Sequence, residues 1–568
     1  MVTLILHVTV VKNTCVYCHG PEKLIFAHNK HPMSVALNVR HLAWYRFTVG
    51  CLVFLDVTNR LLNWDTYYTG SGILGQHILN REEGSFFEEW APGMFDLVPE
   101  RYHYSLLIFG LTQVLFYMFM NHWLNKVFVW FLVTSIHSRN PFLVHYADKF
   151  LSVLLFTNIF LDLGDVSTIQ TLMMTVDISS KHKKLNADSH GDFRPGNVLY
   201  IVQLSCLYLS TSVDKFCGEQ WVKRGTALHT AYLDAPPTYI RYPFGELVKA
   251  LLAYSVETAK VEGSDTDFMY VAPKFIRSFI PFLCYTVVFS ELLIGIVLLF
   301  TVITNKRHST VYLSWAAKYG MVFQSVLLLT FDFGITFHLV FLSSFIPILD
   351  VKFRPYSYQA IDTRKSWKSV FSKSTWKQFC GFLQKVVIYG VCFLTVAIVA
   401  LRVALMLVPL QAQRVVQNSR DSLAAISNFL HLRSHSWNMY SPDPPSRFVA
   451  AKVYFGNEFD VNRVGTYNNS VKLYSRNPYW RMMVTHLDSI CFVNRAFAKP
   501  YIHEHCRNGI LRSVGAYMCK KHFGEKIRSI SQITYKLKIL VTVHNASKVW
   551  KHYTLLEMAC SQLEKIYV

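Results

Sequence analysis

Apolar residues in this chain gather into long continuous runs instead of alternating with polar ones, and a helix needs about 20 such residues to cross a bilayer. The runs cover residues 42–62, 104–121, 127–137, 150–166, 198–212, 279–304 and 386–410, with 127–137 the shortest. The stretch 319–350 is long enough for two short spans with a turn near Phe333-Gly334. Together they predict an all-α polytopic membrane domain of roughly nine transmembrane helices. That domain occupies residues 41–410, behind a cytosolic N-terminal segment, 1–40. After it the pattern changes. Residues 447–461 and 464–474 alternate apolar and polar positions in β-branched and aromatic stretches, 536–543 reads as a further strand, and 481–519 has a helical spacing. Residues 411–568 are therefore expected to form a small C-terminal α+β domain. No internal repeat or low-complexity segment interrupts this plan.

Composition agrees: 52% of residues are hydrophobic and 16% charged, which excludes an ordinary soluble surface. Lysine and arginine in loops are retained on the cytosolic side and so set the orientation. The loop 351–385 carries Lys352, Arg354, Arg364, Lys365, Lys368, Lys373, Lys377 and Lys385 against Asp362, and belongs in the cytosol with Lys306, Arg307 and Lys318. Counting spans backwards puts Lys181, Lys183, Lys184 and the 122–126 turn on that side too. The acidic loop with Glu82, Glu83, Glu88, Glu89, Asp96 and Glu100 falls outside. Counting forwards makes everything after Gln411 lumenal or extracellular. There Asn468-Asn469-Ser470 and Asn545-Ala546-Ser547 are glycosylation acceptors if the compartment is the endoplasmic reticulum lumen, the expected location.

The net charge of +21 is absorbed by the cytosolic loops and tail, as an orientation signal beside anionic headgroups; the partner it implies is the lipid bilayer and not nucleic acid. Of the 12 cysteines, Cys51, Cys206, Cys284 and Cys392 fall in spans as small apolar groups. Cys217, Cys491, Cys506, Cys519 and Cys560 form an outer set with room for up to two disulfides, whose pairing is open. Cys15-Val-Tyr-Cys18 is half of a zinc pattern that nothing nearby completes, so no metal is expected. Residues 1–11 are apolar but lack the charged start and cleavage site of a signal peptide.

Ionisable residues at membrane depth are costly and generally face a cavity or a partner, so chemistry is sought there. Lys215 sits at the exit of the fifth span, in Asp214-Lys215 followed by Trp221 and Gly225. Desolvation disfavours the charged form of such a lysine and makes a neutral amine available as a general base. The competing reading is interfacial snorkelling beside Trp221. Ser135-Ile-His137-Ser-Arg139-Asn140-Pro141, followed by His145 and Asp148, either orients an anionic or quinone-like oxygen or is a helix-ending turn stopped by Pro141. His338, after Phe331-Asp332-Phe333-Gly334, reads as a satisfied structural histidine or a functional one.

At these residues the chain resembles the HTTM family, the membrane domain shared with vitamin K-dependent gamma-carboxylase. The resemblance is carried by Leu42-Ala-Trp-Tyr-Arg46-Phe, Tyr67-Tyr-Thr-Gly70-Ser-Gly72, the Ser135 to Pro141 string, Asp214-Lys215 with Trp221 and Gly225, Phe337-His338, and Ser436-Trp437-Asn-Met439-Tyr-Ser-Pro442. These follow in the family's order. The resemblance implies an enzyme that couples oxygenation of a reduced quinone to carboxylation of glutamate in a secretory-pathway substrate. Its cofactors would be reduced vitamin K, O2 and CO2. By the same resemblance Lys215 is the base that deprotonates the quinone and His338 a second catalytic residue, with Arg139, Asn140, His145, Trp221 and Trp437 around the quinone or substrate. Two alternatives stand beside it: a non-catalytic membrane protein that binds or moves a lipid or quinone, and a scaffold whose outer domain engages partners.

Overall fold

The computed structural model describes residues 33–37, 39–70, 72, 93–140, 143–144, 146–161, 195–223, 225, 227–228, 259–260, 268–269, 274–304, 309–330, 335–349, 351–355 and 373–407. It also describes short pieces between 415 and 426 and the strands named below. The described part is predominantly helical. The helices are α1 (Val39–Leu62), α2 (Trp64–Tyr67), α3 (Met94–Leu97), α4 (His103–Phe119), α5 (Trp123–Arg139), α6 (Tyr146–Phe160), α7 (Pro195–Cys217), α8 (Lys274–Thr304), α9 (Ser309–Thr330), α10 (Ile335–Ser343) and α11 (Lys373–Leu407). The described residues of each apolar run thus lie largely on a helix.

Three segments, Glu100–Phe119, Gly196–Cys217 and Pro281–Thr304, are long and apolar enough to cross a membrane. The first and third of these also expose large apolar side chains. Phe109, Phe116, Phe289, Leu293, Ile296 and Phe300 are all exposed, an arrangement that suits hydrocarbon and not water. The other helices carry charges or are shorter. In α1 the charges point inward: Arg46 and Arg60 are buried while Leu55 and Leu62 are exposed, the reverse of a soluble amphipathic helix.

The sequence places a turn at 122–126, but α5 already begins at Trp123. Lys126 is buried within it, its ammonium donating to the carbonyl of Leu161 at 2.9 Å, so the cation is held by a helix C-terminus inside the bundle.

Helix α7 runs through the middle: 83% of its apolar window is buried, against 33% for α4 and 39% for α8. It packs along α8 and α11 and touches α6. Two hydrogen bonds pin it antiparallel to α8, Ser205 Oγ to the Gly295 carbonyl at 2.7 Å and Ser212 Oγ to the Val288 carbonyl at 3.0 Å. Gly295 permits this approach, since a Cβ there would stand 2.9 Å from the Leu209 backbone nitrogen; small residues draw membrane helices together in this way. Beyond Cys217 the chain makes a π-helical turn, Glu219–Lys223. Gly225 follows in the left-handed region (φ 62), where a Cβ would collide with Pro281 of α8. The chain end of α7 is thereby folded back onto α8.

Strand β1 (Met33–Leu37) pairs antiparallel with β2 (Val351–Pro355), Met33 opposite Pro355. Later in the chain β3 (Val449–Asn457), β4 (Tyr535–His544) and β5 (Trp550–Ala559) form an antiparallel sheet in the order β3-β4-β5, with a register shift at Ile539/Leu540. Two further antiparallel pairings involve two residues a side: Ala259–Lys260 with Phe268–Met269, and Phe492–Val493 with Tyr501–Ile502.

Candidate functional site

Side chains on a helix lean toward its N-terminus. Lys215, near the C-terminal end of α7, therefore reaches back into the bundle, and Glu291, on the antiparallel α8, leans to meet it near the Ser212–Val288 hydrogen bond. The Lys215 ammonium donates to Glu291 Oε1, and both side chains are 2% exposed. The indole of Trp221, supplied by the π-helical turn, lies over the ammonium with its ring centre 5.0 Å away; a cation there is attracted to the ring face. Glu291 is the sole charged residue of Pro281–Thr304, so its position in the bilayer is tolerated because Lys215 neutralises it.

A second polar group adjoins the pair. Tyr208, about two helical turns before Lys215, lies in the field of Glu291 and accepts a hydrogen bond from Gln324 Nε2 of α9 at 3.1 Å. Two acceptors in this group, Glu291 Oε2 and Gln324 Oε1, are buried without a hydrogen bond of good geometry, with the Thr211 hydroxyl beside the carboxylate. Buried acceptors left short of a donor are costly, which marks the place where a ligand's donors would be stabilised. The site is thus a membrane-embedded acid–base pair roofed by an aromatic ring and flanked by under-satisfied acceptors.

Elsewhere α1, α5 and α6 share a separate network. Arg60 Nε donates to Asp56 Oδ1 at 2.8 Å, its Nη2 to Asp148 Oδ2 at 2.8 Å, and its Nη1 to Tyr68 Oη at 2.5 Å. Arg139 Nε donates to the Tyr68 carbonyl at 3.2 Å and its Nη1 to Asp96 at 3.0 Å, while Asn140 Nδ2 donates to the Tyr67 carbonyl at 2.7 Å. These contacts tie the α5 terminus to the turn after α2.

Of the residues singled out from the sequence, Lys215 and Trp221 come together. Arg139 and Asn140 are neighbours whose donors engage the chain itself. His338 is buried in α10. His145, Trp437 and the Asp332-Phe333-Gly334 turn lie outside the described residues, as do both glycosylation tripeptides. Glu291 and Gln324 were not singled out. A lone acid inside the most apolar run of the chain is a signal the sequence did contain, whereas Gln324 becomes visible only when α9 is laid against α7. No protein-family model, curated protein or solved structure matches this chain.

Proposed function

We propose that the chain is a multi-pass membrane enzyme of the vitamin K-dependent gamma-carboxylase type, in which Lys215 takes the first proton from a reduced quinone. The observation that carries this reading is the buried Lys215–Glu291 pair under Trp221, beside two under-satisfied acceptors. A hydroquinone fits that donor–acceptor pattern: it brings two hydroxyl donors and an aromatic ring. When bound, reduced vitamin K with O2 supplies a base strong enough to remove a γ-proton from glutamate, to which CO2 then adds.

The protein's own part is narrower. A proton shared between a lysine and a glutamate can pass to the carboxylate without changing the net charge of the pair, and this leaves a neutral amine in a low-dielectric site. That amine accepts a hydroxyl proton, and the resulting ammonium stays beside the oxygen that lost it. Trp221 faces the cation, while Gln324 and Glu291 orient the hydroxyls. His338, Arg139, Asn140, His145 and Trp437 enter the reading through the family resemblance.

The same reading takes the chain to cross the membrane roughly nine times, in the endoplasmic reticulum, with residues 411–568 as a lumenal α+β domain. The distribution of lysine and arginine supports that orientation.

A second reading is favoured by the fact that Lys215 already has its cation satisfied by Glu291 and Trp221. In it the protein binds or moves a quinone or lipid at this site without chemistry. Purified chain incubated with reduced vitamin K separates the two. Epoxide appearing with oxygen supports the enzyme, quinone retained without turnover supports the carrier, and neither result removes both.

A further inference from the structure

We infer that the end of the bundle closed by the β1–β2 ribbon is a docking surface for an anionic phospholipid, whose headgroup meets Lys352 and Arg354 and whose chains lie along α9. The register of the ribbon sets up two faces. Successive residues of a strand alternate between faces. Ser34 and Ala36, paired with Arg354 and Lys352, therefore share one face, while Met33, Val35 and Leu37, paired with Pro355, Phe353 and Val351, share the other. The second face is wholly apolar, and its Leu37 is buried in the main core cluster. The first face is thus turned from the core, with its two cationic residues two positions apart on one strand and small residues across from them.

Three contacts locate the ribbon. Tyr45 of α1 and Tyr200 of α7 meet edge to face with ring centres 5.6 Å apart. Tyr200 Oη donates to the Ser344 carbonyl at 2.6 Å, and Ser314 Oγ of α9 donates to the Leu349 carbonyl at 2.7 Å, two residues before β2. Tyr45, Tyr200 and Ser314 each lie five or six residues into their helices, so α1, α7 and α9 all begin at this end, where β1 touches α7 and β2 touches α9. Helix N-termini carry partial positive charge, of the same sign as the residues on the ribbon's outer face.

Charge and polarity match one kind of partner. From Lys306 to Arg354 the acidic residues are Asp332, beyond the far end of α9, and Asp350, against Lys306, Arg307, Lys318, Lys352 and Arg354. Helix α9 supplies the apolar part: Val311, Tyr312 and Trp315 are exposed within its first two turns, and Trp315 stacks on Tyr319 with ring centres 5.2 Å apart. Such aromatic side chains mark the level at which headgroups meet hydrocarbon. Lys318, exposed one turn further along, can reach that level along its own stem. Cations set above an aromatic belt complement a phosphate set above acyl chains. A zwitterionic lipid would bring its own cation to the same place and gain less. None of this depends on quinone chemistry at Lys215.

The test uses the full chain, purified in detergent and titrated with short-chain fluorescent phosphatidic acid or phosphatidylcholine. Phosphatidic acid should bind about tenfold more tightly or better, and lose about thirtyfold in Lys352→Gln/Arg354→Gln, at about fivefold for each basic residue at a lipid surface. Lys181→Gln/Lys183→Gln removes the same charge from another basic loop and should leave the affinity unchanged. Equal loss in the two double variants would mean diffuse attraction to a basic protein and would overturn the site. Glycerol 3-phosphate competing as well as the lipid would overturn the phospholipid as its occupant. Because the ribbon variant could fail to fold, wild type is also followed alone: its thermal unfolding midpoint should rise with phosphatidic acid more than with phosphatidylcholine. The same midpoint in both lipids would overturn the inference as well.

Discussion

Removing either partner of the Lys215–Glu291 pair should destabilise the protein, while removing both should not. Both side chains are 2% exposed, so solvent offers almost no screening, and breaking a buried pair by deleting one member costs about 3–5 kcal/mol. The two single variants should differ. In Lys215→Met the buried Glu291 carboxyl loses its counter-charge and must either stay ionised unpaired or take up a proton, so a cost of up to about 3–5 kcal/mol is expected. In Glu291→Leu the ammonium retains Trp221 at 5.0 Å, a contact worth about 1–2 kcal/mol when desolvated. It can also withdraw toward the interface along its own stem. That variant should lose about 2–4 kcal/mol. The double variant replaces the pair by two apolar side chains of similar size and should return to within about 1 kcal/mol of wild type, or exceed it. The assay is an SDS titration in mixed micelles of wild type, both singles and the double, read as a double-mutant cycle. Single variants as stable as wild type, or a double variant no better than the worse single, would refute the reading of a desolvated, mutually compensating pair.

Three further outcomes are open to measurement. Gly295→Val should cost about 1–3 kcal/mol by overpacking α7 against α8, seen as a lower midpoint in fluorescence-detected size exclusion, because its new Cβ would meet Leu209 at 2.7 Å. Arg139→Lys should lose the paired contacts to the Tyr68 carbonyl and Asp96 and cost about 1–3 kcal/mol, read by the same SDS titration. If residues 411–568 are lumenal, Asn468→Gln and Asn545→Gln should each remove an endoglycosidase-sensitive mass shift, and a wild-type chain without any shift in microsomes would contradict that orientation.

Much of the helical frame is legible in the sequence because apolar runs report the bilayer directly: 104–121 lies on α4, 198–212 on α7 and 279–304 on α8. The less apolar helices were harder to bound. Helix α5 starts four residues before its apolar run, since Asn125 and Lys126 are buried by contacts to the Gln113 and Leu161 carbonyls that hydropathy does not register. Likewise α1 carries Arg46, Asp56 and Arg60 within its length, and only the fold shows that Arg60 meets Asp148, 88 residues away. The candidate site divides in the same way. Lys215 and Trp221 are six residues apart and could be read together, while Glu291 lies 76 residues from Lys215 and Gln324 belongs to a third helix. Local spacing finds neighbours on one helix; antiparallel packing between helices decides which distant polar residue completes them.

The central claim is that Lys215 begins quinone oxygenation, and hydroquinone-dependent epoxide formation tests it most directly. Microsomes containing wild type, Lys215→Ala or the stably folded Lys215→Met/Glu291→Leu chain would be supplied with reduced vitamin K and oxygen, and vitamin K epoxide measured per folded molecule. The account predicts turnover in wild type and none in either variant, with partial recovery of Lys215→Ala by added primary amine. Wild type without turnover, or a Lys215→Ala chain that turns over at the wild-type rate, would contradict it.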